Sequence, residues 1–161
     1  MIVNGWTLLF HEAVLDQLTK LADATARARK SDPKTYAANP NVKLFAAVAK
    51  LMLEIVPGDP TRPEYRQGNT LGQDYRHWFR VKFLGRFRLF FRYDSRAKLI
   101  VYAWVNDERT LRQSGGRNDP YEVFRRMLDS GNPPNDWASL VKAAAKLPPG
   151  LAAHLAGRSK D

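Results

Sequence analysis

The sequence predicts an α+β fold: a small antiparallel sheet packed against two N-terminal helices and followed by short C-terminal helices. Three observations predict it. Two N-terminal segments repeat apolar residues at intervals of three and four, a later segment alternates with period two on both sides of a glycine-containing turn, and an apolar run of strand length follows that turn. With 161 residues the chain is long enough to bury a real core. Residues 1–150 are expected to form one domain, with residues 151–161 as a mobile tail.

Gly5 to Phe10 suits a short strand. From Glu12 to Lys30, Leu15, Leu18, Leu21 and Ala22 make the apolar stripe of a first helix, which Ser31-Asp32-Pro33 breaks. Asn39-Pro40 offers an N-cap with Pro at the first helical position, and Leu44, Phe45, Val48, Leu51, Met52 and Ile55 give a second helix its buried face. Pro57 to Arg76 is rich in Pro, Gly, Asp and Asn and reads as a long loop.

Between Arg76 and Arg92 six basic residues interleave with six aromatics, and no acid interrupts them. Side chains alternate across a strand, so Phe79, Val81 and Phe83 share one face while Trp78, Arg80 and Lys82 share the other. A loop of Leu84, Gly85 and Arg86 sets Phe83 opposite Phe87, Val81 opposite Leu89 and Phe79 opposite Phe91. The same register sets Lys82 opposite Arg88. Like charges facing each other across a strand pair cost up to ~1 kcal/mol, so this face either spreads its cations in solvent or holds them for an anion. Lys98 to Val105 is apolar on both faces and predicts a central strand. The polar segment Asn106 to Arg112 then stands at the end of a buried strand, where functional groups often collect. Asp119-Pro120-Tyr121-Glu122 has the spacing of a capping box for a helix whose inner face is Tyr121, Phe124, Met127 and Leu128. Asn135-Asp136 caps a last helix from Trp137 to Lys146, and Leu147-Pro148-Pro149-Gly150 is expected to end the ordered chain.

A formal charge of +10 and a pI near 10.1 point to a polyanionic partner, nucleic acid first. No apolar run reaches the ~20 residues that span a bilayer, which points away from membrane, and without cysteine for a disulfide framework the cytoplasm is the default expectation. The chain has no cysteine, and its three histidines, His11, His77 and His154, stand apart, so the residues predict neither a metal site nor a cofactor.

The layout resembles that of RelE-like bacterial toxins. Within them, Val3 to Trp6 (VNGW), Trp78 to Phe83 (WFRVKF), Gly85 to Tyr93 (GRFRLFFRY), Trp104 to Arg112 (WVNDERTLR) and Asn132 to Trp137 (NPPNDW) are, taken in order, similar to the YhaV toxin family over nearly the whole chain. The resemblance implies a RelE-like fold and an endoribonuclease of a type II toxin-antitoxin pair that cleaves mRNA, on or off the ribosome, to stop translation and growth. It also implies a PrlF-like antitoxin of the swapped-hairpin DNA-binding kind, with operator DNA bound through the complex.

It further implies that Arg80, Lys82 and Arg88 are catalytic, joined by Arg109 or Arg112, between which the sequence does not choose. Cleavage without metal needs only attack by the 2′-OH on the adjacent phosphorus, with a base, charge stabilisation and an acid. The arginines cannot serve as base, which leaves Lys82, on condition that neighbouring cations destabilise its ammonium. Asp107 or Glu108 can assist as acid. On the same face Trp78 and Phe90 can stack bases, and Arg86 and Arg92 are expected to bind RNA; the resemblance also implies a stacking tyrosine, for which Tyr121 is the nearest candidate, though its helical spacing reads as core. A non-catalytic RNA- or ribosome-binding protein, or a toxin of this fold acting on a protein, stays open.

Overall fold

Strand β2 (Trp6–His11) alternates buried and half-buried residues, and His11 caps the helix that follows it, α1 (Glu12–Ser31), by accepting the N–H of Ala13 on its side chain. The computed structural model describes residues 1–159, with side chains to Gly157. Helix α2 (Pro40–Lys50) is capped by Asn39 with Pro40 at its first position. It continues through a π-turn, Leu51–Ile55, into Val56–Gly58. Pro57 has no N–H to offer the carbonyl of Met52 five residues earlier. The buried Tyr102 hydroxyl donates to that carbonyl instead, at 2.7 Å.

Among the described residues the sheet holds six strands in the order β1 (Ile2–Val3), β2, β5 (Leu99–Val105), β4 (Phe87–Asp94), β3 (Phe79–Phe83), with β6 (Ala144–Ala145) also on β2. The β3–β4 register is the expected one, Phe79 opposite Phe91, Val81 opposite Leu89, Lys82 opposite Arg88 and Phe83 opposite Phe87. The sheet is mixed rather than wholly antiparallel, because β2 runs parallel to β5. Helices α1 and α2 carry the chain from β2 over one face to the far edge, and the meander β3–β4–β5 then returns alongside β2 in its own direction.

Both faces are covered. On one, Leu18 of α1 and Phe45 and Met52 of the second helix pack with Phe10, Leu89, Phe91 and Tyr102. On the other, Phe124 and Leu128 of α3 (Pro120–Asp129) and Leu140 of α4 (Trp137–Ala143) pack with Trp78, Phe90 and Trp104. Phe124 stacks on Phe90 at 4.4 Å and on Trp104 at 5.8 Å between ring centroids. The face expected to be open and cationic therefore lies beneath α3.

The expected tail is also corrected. Pro149–Ser159 forms helix α5, with Leu151 and Leu155 buried in the first core against α1 and α2. Pro149 starts this helix rather than ending the ordered chain, as suits a residue whose missing N–H is unneeded in a first turn. Residues 160 and 161 of the expected tail lie outside the described residues.

Candidate active site

The β3–β4 hairpin turns tightly through Leu84 (φ 46°) and Gly85 (φ 75°), with the Arg86 N–H donating to the Leu84 carbonyl at 2.9 Å. Next to this turn, strand alternation sends Arg80 and Arg88 to the face that α3 covers. They are only 7% and 6% exposed. Arg80 donates through Nε to the Tyr121 hydroxyl at 2.8 Å and through Nη1 to the Glu64 carbonyl at 2.7 Å. Arg88 donates through Nε to the same hydroxyl at 3.1 Å and through Nη1 to the carbonyls of Gly85 and Phe87 at 3.0 and 2.8 Å.

Two guanidinium groups thus converge on one hydroxyl oxygen. No carboxylate among the described residues lies within ion-pair reach of either. Burying charge without a counter-charge is costly, and such an arrangement is stabilised by an anion placed between the groups. A tyrosine oxygen has two lone pairs and one proton. With both pairs engaged by arginines, the hydroxyl of Tyr121 keeps its own proton to donate.

Around this centre the structure gathers part of the expected set. Arg112 lies over the Tyr121 ring at 4.8 Å and pairs with Asp119 at 2.7 Å. Asp119, 2% exposed, also accepts the N–H groups of Gln113 and Tyr121 and so ties the N-terminus of α3 to the Arg112 segment. Lys82 is exposed, opposite Arg88, and lines a shallow cleft with Arg62, Glu64 and Tyr65. Arg86 is exposed and donates through Nε to the Arg112 carbonyl at 3.0 Å. Of the two late arginines, Arg112 reaches the centre. Arg109 lies on the exposed loop and lines a different cleft, with Gln17, Lys20 and Leu44.

Other expected members stand elsewhere. Trp78 and Phe90 are 0% exposed beneath α3, where no base can stack on them. Trp78 donates to Asn135 at 2.9 Å and packs edge-on against Phe124 at 5.1 Å. Arg92 is half-buried between Trp78 and Trp137, at 5.4 and 5.2 Å from their rings, and donates to the Asn135 carbonyl. Burial lowers its guanidinium to about 10, against the opposing effect of Asp136. Its position is that of a structural cation that closes an aromatic cluster. Asp107 accepts from the Arg109 N–H and the Thr110 hydroxyl, as the cap of a turn.

The ring of Tyr121 lies in the core, as one of its two readings expects, and its hydroxyl accepts from Arg80 and Arg88. Sequence reasoning missed Asn106, 1% exposed, whose carboxamide bonds Arg88, Arg86 and Thr110. The one available signal was its place at the end of a buried strand. Among the described residues no group of three or more His, Asp or Glu is gathered as a metal site requires.

Residues 8–145 match the model of a family described as a toxin with endonuclease activity, of a toxin-antitoxin system. A relative from Escherichia coli O6:H1, "Toxin YhaV", is 41% identical over 142 residues, covering 87% of this chain and 92% of its own length. One from Escherichia coli K12, "Ribonuclease toxin YhaV", is 40% identical over the same shares of the two chains. No solved structure matches.

Proposed function

The chain belongs to the YhaV toxin family and is an endoribonuclease of a toxin-antitoxin system, and from that premise we propose that it cleaves mRNA by 2′-OH attack at the Arg80-Arg88-Tyr121 centre. The observation that supports this site most is the pair of buried guanidiniums on one hydroxyl, with no carboxylate of the described residues in ion-pair reach. An RNA phosphate supplies the missing charge.

Arg80 and Arg88 hold the non-bridging oxygens and take up the charge that grows in the transition state. Lys82, on the exposed rim opposite Arg88, is the base that takes the 2′-OH proton. The Tyr121 hydroxyl donates a hydrogen bond to the phosphate or to the departing 5′-oxygen, in the place offered above to Asp107 or Glu108, and the 5′-oxygen takes its proton from water as the P–O bond breaks. Arg112, held over the ring by Asp119, adds the cation beside the leaving group. Arg86 at the hairpin tip meets the flanking backbone. These groups and water do the proton and charge work of the step, so no metal or cofactor is proposed.

A toxin of such a system has an antitoxin partner. We assign a PrlF-like, DNA-binding antitoxin that covers the basic site through an acidic or amphipathic segment, with operator repression by the complex and action in the cytoplasm, on or off the ribosome. No helix among the described residues is long and apolar enough to cross a membrane. A RelE-like relationship fits the helix-covered sheet.

The test is cleavage of RNA by purified protein, with Arg80→Ala, Lys82→Ala, Arg88→Ala and Tyr121→Phe. Loss of one transition-state donor typically costs about 10²- to 10³-fold in kcat. Each variant is expected to lose activity on that scale, least for Tyr121→Phe. Wild-type cleavage by Arg80→Ala and Arg88→Ala removes the assignment.

A further inference from the structure

We propose that Asn106 is a positioning residue for cleavage: its carboxamide holds the backbone of Arg88 and the loop bearing Arg112 in one frame. The inference rests on the site assigned above and begins with an irregularity in β5. Leu89 pairs with Val105 and Phe90 with Trp104, but Phe91 pairs with Tyr102, so Ala103 is an extra residue. One inserted residue reverses which face every later side chain meets. Ile100 and Tyr102 lie in the core under α1 and α2, and strict alternation would send Trp104 and Asn106 there too. Past the bulge, Trp104 joins the core under α3, and Asn106 turns to the face of Arg88.

There it stands in for a strand neighbour. Asn106 Oδ1 accepts the Arg88 N–H at 2.6 Å, and Nδ2 donates to the Arg86 carbonyl at 3.1 Å. The second Nδ2 proton goes to the Thr110 carbonyl at 2.7 Å. The partners fix the orientation of the amide, since one N–H faces its oxygen and two carbonyls face its nitrogen. The Arg86 carbonyl also accepts the Arg112 N–H at 2.9 Å, so the hairpin and the loop meet at one atom that Asn106 shares. The direction of the Arg88 guanidinium, and with it the Tyr121 hydroxyl, depends on this frame.

Gln17 provides a matched comparison. Its side chain brackets Val105, the residue before, from α1, donating to its carbonyl and accepting its N–H at 3.1 Å, with no bond to the hairpin. Asn106→Ala and Gln17→Ala are compared at a temperature where circular dichroism shows both folded. Asn106→Ala is expected to lower kcat about a hundredfold, the scale of a ~1 Å misplacement, with a smaller change in KM, and to shift the Nε–H resonances of Arg80 and Arg88. Gln17→Ala should leave kcat and those resonances near wild type. Equal losses in both variants would mean a general structural role and overturn the proposal, as would wild-type kcat in Asn106→Ala.

If Asn106→Ala does not fold, Asn106→Asp keeps the acceptor for Arg88 and sets an oxygen against two carbonyls. It is expected to lose more than about tenfold in kcat, and wild-type kcat there also overturns the proposal. A wild-type protein inert on RNA overturns the functional reading instead, and the resonances then decide the positioning by themselves.

Discussion

At the scale of residues the molecule keeps two guanidiniums where an ordinary core would not. Arg80 and Arg88 are as buried as many apolar side chains, and they share a hydroxyl instead of a carboxylate. Arg112 shows the contrast within the same site, since Asp119 neutralises it. Anything that binds the native state alone stabilises it by mass action, by about 2.7 kcal/mol at a hundredfold excess over Kd. Sulfate at constant ionic strength is therefore expected to raise the Tm of the wild type and to leave that of Arg88→Ala unchanged, measured by thermal unfolding. Equal shifts in the two proteins would place the anion elsewhere. The types and alternation of Arg80, Lys82 and Arg88 were legible in the sequence, because period two and a turn of known length fix a hairpin register. Their burial was not, since nothing local to the hairpin says that α3, about thirty residues later in the sequence, returns to lie across it.

At the scale of elements the same limit explains the other corrections. Period two places Trp78 and Phe90 on the correct face, but the neighbour they meet there is Phe124 and not a base. The run Leu147-Pro148-Pro149-Gly150 carries stop signals, yet the same prolines serve at a helix start, and only the contact of Leu151 and Leu155 with the first core decides between the two. The parallel placement of β2 beside β5 is a long-range pairing that strand patterns do not encode. Leu155 is 0% exposed, and a buried Leu→Ala change typically costs 2–5 kcal/mol. Leu155→Ala is expected to lower stability by roughly that amount in urea unfolding. A loss under about 0.5 kcal/mol, the size expected of a surface position, would restore the tail.

At the scale of the whole molecule, a charge of +10 steers the protein toward RNA, while two histidines make its stability depend on pH. Burial lowers His11 and His77 below the ordinary 6.5, against the opposing effects of Glu12 and Asn132 on His11 and of Asn135 on His77. The unfolded chain then binds more protons than the native one as pH falls below about 6.5, so native stability drops in that direction. Above that pH both states are neutral at these groups and their contribution is constant. Protonated His11 would also lose its acceptor for the Ala13 N–H and set a positive charge at the start of α1. Urea midpoints between pH 7.5 and 5.5 should fall with acid in the wild type and less steeply in His11→Asn, which keeps a cap. Parallel slopes would exclude His11 as a source. Cleavage by 2′-OH attack at a cationic centre is tested by single-turnover cutting in excess chelator of one RNA in two forms, all-ribose and with a single 2′-deoxy nucleotide at the mapped site. The expected result is cleavage of the first, leaving a 2′,3′-cyclic phosphate, and none of the second at that position. Equal cutting of both, or activity that disappears in chelator and returns with a divalent ion, would contradict it.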